Sequence, residues 1–156
     1  MTVTALQLAG EIVRRQSTRG RYVTNLSLQK LAYFCQGWHL ALADRPLVAD
    51  SFEAWKFGPV LPSVYHKFKV FSSNPIPPEH PLVRSSEAQL DNWSSALIDR
   101  VLDVYGEYTG AQLVEMSHVT DGPWARVWDA DGGIMDNADI QTYFKSLSKS
   151  TAAAAA

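Results

Sequence analysis

Apolar residues return every three or four positions over most of this chain, and prolines, glycines and short polar residues mark where the rhythm breaks. Ala5, Leu8, Ala9, Ile12 and Val13 form the first stripe. Thr4, with Gln7 three residues on, has the side chains of a capping box, so a helix is predicted from about Ala5 to Arg15. Residues 16–25 have no period, and Thr24 or Asn25 can cap a second helix reaching about Asp44. On that helix Leu28, Leu31, Ala32, Cys35, Trp38, His39 and Leu42 share a stripe, yet the large apolar Tyr33, Phe34 and Leu40 lie off it. A helix that is apolar nearly all round belongs at the centre of a fold. Gly37 in its middle costs about 1 kcal/mol relative to alanine, which predicts that another element crosses closely there.

Asp44-Arg45-Pro46 breaks the helix, Leu47–Val48 and Phe52–Lys56 read as short extended pieces, and Gly58-Pro59 reads as a turn. Pro62 suits the first turn of a short helix with Val64, Tyr65 and Phe68 on its apolar side. Prolines 75, 77, 78 and 81 make a surface loop, and helical spacing resumes from about Ser86 to Tyr105, through Leu90, Trp93, Leu97, Val101 and Val104. Thr109 and Gln112 offer a second capping box for a helix to about Val119, and Asp121-Gly122-Pro123-Trp124 turns into a short helix ending near Trp128. After a turn at Asp131-Gly132-Gly133, Ile140, Tyr143, Phe144 and Leu147 mark a final helix capped by Asp136 or Asn137. The expected fold class is α+β, mostly α: a compact single domain of about five to seven helices with a small β-hairpin around residues 47–57. Residues 1–149 form the domain. Residues 150–156, Ser-Thr and five alanines, are expected to be a disordered tail.

Composition adds limits. At 156 residues, 46% hydrophobic and 19% charged, the chain can bury a core and lies outside the disordered range. The lone Cys35 sits among apolar helical neighbours, so a buried, inert thiol in a reducing compartment is expected. The N-terminal segment lacks the pattern of a signal peptide and no run is long enough to span a membrane, so the expected location is cytoplasmic. The net charge of −2 hides an asymmetry: residues 1–86 hold ten basic and five acidic side chains, residues 87–139 two basic and eleven acidic. Only Arg14, Arg15, Arg19, Arg21 and Lys30 cluster in sequence, and a nucleic-acid-binding regulator would have to use that 14–30 segment.

Candidate chemistry is sparse. His39, His66, His80 and His118 show no pair at metal-binding helical spacing, one cysteine excludes any CxxC pair, and Gly132-Gly133 lacks the rest of a phosphate-binding loop. No serine sits in a nucleophile elbow. No catalytic residue, metal or cofactor is assigned, and enzyme activity is not expected. His118 is expected at a helix C-terminus, where the macrodipole favours a protonated imidazole. Of the five tryptophans, Trp38, Trp93 and Trp128 fall on helical patterns and read as core, whereas Trp55 and Trp124 sit at element ends, where an indole can anchor a partner. Trp55, Lys56, Tyr65, His118 and Trp124 are therefore the candidate partner-binding residues.

The run Leu28 to Trp38, which contains Gln29, Lys30, Tyr33, Gln36, Gly37 and Trp38, is followed by Pro46-Leu47 and by Glu53-Ala54-Trp55-Lys56-Phe57-Gly58-Pro59-Val60 with Val64-Tyr65. These blocks, with the later His118 and Pro123-Trp124, resemble the hallmarks of the Panacea domain, a family of phage-associated GepA-like and SocA-like proteins. The resemblance spans about Thr4 to Phe144. It implies an antitoxin of a bacterial toxin-antitoxin system that binds and neutralises a cognate toxin protein, by occlusion or by delivery, as an adaptor, to a AAA+ protease. The alanine tail could act as a handle in the second route. Some members carry an added DNA-binding segment, for which this sequence has no spare length, and the family motif supplies no catalytic residues.

Overall fold

The computed structural model describes residues 2–155, with side chains through residue 149. Local signals set the helix starts. In α1, Ala5–Thr18, the Thr4 hydroxyl accepts from Gln7 N at 3.1 Å while Gln7 Oε1 accepts from Thr4 N at 2.9 Å, satisfying two donors that a helix start leaves open. In α2, Asn25–Ala43, Thr24 and Ser27 repeat the arrangement, and Asp44 closes the helix in the left-handed region at φ 56°. Thr109 and Gln112 box the start of α6, Gly110–Ser117. Asp91 caps α5, Asn92–Tyr105, by accepting from Ser94 N. The remaining helices are α3, Pro62–Phe68, which runs into a 3₁₀ turn at Lys69–Phe71; α4, Pro81–Arg84; α7, Pro123–Asp129; and α8, Asn137–Ala155. Each of α3, α4 and α7 begins with proline at its first position.

Eight helices are thus present among the described residues, against five to seven expected. The one-turn α4, inside the proline-rich stretch read as loop, has no room for a periodic stripe. The final helix, whose stripe reaches Leu147, carries its backbone on to Ala155 through residues read as a disordered tail, and alanine has the best intrinsic helix propensity of any residue.

The sheet is where expectation and structure part. Strands β1, Glu53–Trp55, and β2, Gly58–Val60, form a hairpin with Trp55 opposite Gly58, so the turn is Lys56–Phe57 and Gly58-Pro59 begins the second strand. Proline is tolerated there because β2 lies at the sheet edge, where its missing N–H breaks no ladder bond. Leu47–Val48, placed in the hairpin by the sequence, joins Val3 instead through Val3 N to Leu47 O and an isolated parallel bridge of Val3 with Val48. A third strand, β3, Gly133–Ile134, pairs antiparallel with β1 and gives the order β2-β1-β3. Its two residues, one a glycine expected in a turn, are too few to show alternation.

Helix α2 is the central element, packed by α1, α5, α6 and α8, and fifteen of its nineteen residues are buried. The close crossing predicted at Gly37 is α8: a Cβ there would stand 2.1 Å from the Phe144 ring. Tyr33 and Phe34 both meet Phe144 edge-on, and Phe34 stacks on Tyr105 at 4.2 Å. Gln141 Nε2 donates to Leu40 O, and Lys145 pairs with Asp44 at 2.6 Å, so α8 also closes the C-terminal end of α2. Two tryptophans expected in the core are half exposed: Trp93 at 46%, against His39, and Trp128 at 39%, stacked on Trp124. Periodicity gives the face of a helix, and these residues lie where that face runs out of neighbours.

Candidate functional site

The buried polar residues of α2 explain why its sequence is so specific. Gln36 Oε1 accepts from Leu47 N at 2.8 Å and Val48 N at 3.1 Å while its Nε2 donates to Val48 O, so one amide holds the connection after the helix. Gln29 Oε1 accepts from Leu61 N at 2.9 Å and Lys30 Nζ donates to Pro59 O at 2.9 Å. These two side chains satisfy the backbone at β2's outer side and lock the hairpin onto α2. Gly58, at φ 106°, has no room for a side chain: a Cβ would lie 2.6 Å from Lys30 Cε and 2.7 Å from Ser117 Oγ. His39, the core histidine, is bonded at both nitrogens, to Arg45 O and Ser94 Oγ, each at 2.8 Å.

Beside this lock, α2, the hairpin and α3 with its 3₁₀ turn enclose a groove of about 300 Å³. Three of the five predicted contact residues, Trp55, Lys56 and Tyr65, line it, with Trp55 and Tyr65 edge-on at 5.0 Å. Trp55 Nε1 donates to Glu53 Oε1 at 3.1 Å. Phe57, 58% exposed at the hairpin tip, Leu26, Val60 and Lys69 also line the groove and were not singled out from sequence. Phe57 carried one available signal: a large apolar ring directly before Gly58-Pro59. Lys30 lies at the groove's floor, fully buried, and burial pushes its amine down to about 7.

The other two predicted residues do not line the groove. His118 and Trp124 stack at 3.7 Å, 9° from parallel, and Trp124 is 8% exposed where a half-exposed indole was expected. Trp124 Nε1 donates to Trp55 O at 2.7 Å, so the pair braces the hairpin from behind, with Pro123 opening α7 to place the indole. His118 caps the end of α6, but the protonated state expected there is opposed: burial, then the neighbouring Lys30 charge, holds its pKa below the usual histidine range. Its Nε2 is buried and has no hydrogen-bond partner.

The basic segment 14–30 is spoken for. Arg14 and Arg15 pair with Glu11, Arg15 and Arg19 with Asp99, Arg19 with Asp103, and Arg21 with Glu107. The acidic half of the chain thus covers the basic one through α1 and α5, and Lys30 is internal. This face does not carry the uncompensated basic footprint a nucleic-acid surface needs. Among the described residues no group of three or more His, Cys, Asp or Glu could hold a metal, and no helix is long and apolar enough to cross a membrane.

Comparison with known proteins meets the same residues. Positions 28–125, which hold the α2 lock, the hairpin, most of the groove's lining and the His118–Trp124 stack, match the family described as Antitoxin SocA-like, Panacea domain. The chain belongs to the Panacea-domain family. It is 38% identical over 122 residues to Antitoxin SocA of Caulobacter vibrioides (strain NA1000 / CB15N), covering 70% of this chain and 62% of that protein. The chain therefore spans less than two thirds of that relative's length. No solved structure matches. Within this Panacea domain, Gln29, Lys30, Gly58 and Pro59 build the lock between helix and hairpin, Gln36 holds the connection after α2, Tyr33 and Gly37 pack against Phe144, and Trp38 donates to Tyr105 Oη at 3.0 Å.

Proposed function

We propose that this Panacea domain is the antitoxin of a bacterial toxin-antitoxin pair and that it neutralises a cognate toxin protein by binding it. Family membership and likeness to a protein named as an antitoxin support the role, and the groove supports the place. The observation that carries the reading is a rigid, partly exposed cluster of Trp55, Phe57 and Tyr65 on a hairpin whose backbone is locked to the central helix. Aromatic anchors on a preorganised support are what dominate binding energy at protein interfaces, at 2 kcal/mol or more each in favourable cases. Nothing in the groove's lining demands a reacting substrate.

Occlusion of the toxin's working surface is the simplest consequence of such binding, and delivery to a AAA+ protease would follow the same first step. The test is to express the adjacent reading frame with and without this chain, then repeat with purified components and no protease. Growth arrest relieved by co-expression supports the antitoxin role. Relief that survives without protease assigns it to occlusion, and relief only with protease assigns it to delivery. A neighbour harmless on its own removes the reading.

A further inference from the structure

The groove's lining holds positive charge without a carboxylate beside it. Arg14, Arg15, Arg19, Arg21, Arg45 and Lys145 each meet a carboxylate. Lys30, Lys56 and Lys69 line the groove, no acidic side chain lines it with them, and among the described residues none of the three forms an ion pair. The strand carboxylate of Glu53 accepts from the Trp55 indole and pairs with no lysine. Lys30 has one acceptor, Pro59 O, whereas an ammonium carries three donors. Lys56 Nζ stands 5.5 Å from the Phe57 ring centroid, so positive charge and exposed aromatic surface are side by side. At about 300 Å³ the space is at the small end of ligand-binding cavities and suits a side chain or two of a protein segment.

We propose that this groove receives a segment of the partner protein in which an aromatic or large aliphatic side chain stands next to a carboxylate. The apolar group packs on Trp55, Phe57 and Tyr65, and the carboxylate meets Lys56 and Lys69. The partner's identity as a toxin rests on the reading above, while its chemistry rests on the groove alone. A cationic segment is disfavoured by the like charges of Lys56 and Lys69, which no carboxylate in the lining offsets, and a purely apolar one leaves them unmatched.

Two measurements on the full chain separate the ideas. In the first, N-acetyl-L-phenylalaninate and N-acetyl-L-phenylalaninamide are titrated while the Trp55 indole N–H resonance is followed by NMR. The carboxylate is expected to shift that resonance and to bind at least fivefold tighter than the amide. Lys56→Glu/Lys69→Glu should abolish the difference, and Lys67→Glu/Arg100→Glu, at exposed positions outside the groove, should keep it. Equal binding of acid and amide, or shifts elsewhere only, overturns the inference. In the second, the Lys56→Glu/Lys69→Glu chain should bind the neighbouring frame's toxin at least tenfold more weakly than wild type, and unchanged affinity overturns the inference. If wild type itself does not bind that toxin, the antitoxin reading falls and the titration still decides the groove. If sedimentation shows the double variant dissolving a dimer, the occupant is a second copy of this chain and the inference is overturned.

Discussion

Lys30 is the residue at which the lock on the hairpin meets the floor of the groove. Its amine is fully buried, and burial lowers its pKa from 10.5 to about 7. The unfolded chain keeps the proton up to about 10.5 while the folded chain releases it near 7, so between those values the unfolded state binds more protons and stability rises with pH. The slope is at most about 1.4 kcal/mol per pH unit. Urea unfolding at pH 6.5 and pH 9 should show the rise, and Lys30→Met should flatten it while raising stability at the lower pH. Gly37 gives a second test. Alanine gains up to about 1 kcal/mol of helix propensity, but its methyl would enter the Phe144 ring, and overpacking costs about 1–3 kcal/mol. Gly37→Ala should therefore lower the melting temperature, and Phe144→Leu in the same chain should recover part of the loss.

Among elements, the connection after α2 depends on one side chain. Gln36 pairs three buried backbone groups of Leu47 and Val48, and each group left unpaired costs about 1–3 kcal/mol. Gln36→Leu should destabilise by about 3 kcal/mol or more, and hydrogen exchange at the Leu47 and Val48 amides should accelerate beyond the global change. What could be read from the chain divides along the same lines. Capping boxes at Thr4 and Thr109 were legible because donor and acceptor lie three residues apart, the cap at Thr24 only as one of two candidates because its box closes on a serine, and Gly37 because a glycine in an apolar helix needs a reason. The groove was only half legible. Its walls come from residues 25–30, 55–60 and 65–72, brought together by packing that no local pattern encodes, so Trp55, Lys56 and Tyr65 were found through their own character and Lys69 was not. The Gly58-Pro59 turn was misplaced because proline in an edge strand looks the same in sequence as proline in a turn.

For the whole molecule, the opposite charges of the two halves serve assembly. Arg15, Arg19 and Arg21 on or beside α1 meet Asp99, Asp103 and Glu107 on or beside α5, pairs 80 or more residues apart that are partly solvent-exposed. Exposed pairs of this kind are worth about 0–1 kcal/mol each, so Arg19→Ala should change unfolding free energy by no more than about 1 kcal/mol. With the arginines covered, Arg19→Ala/Arg21→Ala should leave retention of duplex DNA unaltered in a mobility-shift assay. A large loss of retention would revive the nucleic-acid reading of the 14–30 segment. Because Gln29 and Lys30 already occupy the free rim of β2, an incoming chain cannot extend the sheet at that side, and the partner proposed for the groove would be recognised there through side chains. A ladder of main-chain bonds would hold almost any sequence. A face of rings and lysines can instead be re-tuned, one codon at a time, to follow a changing adversary.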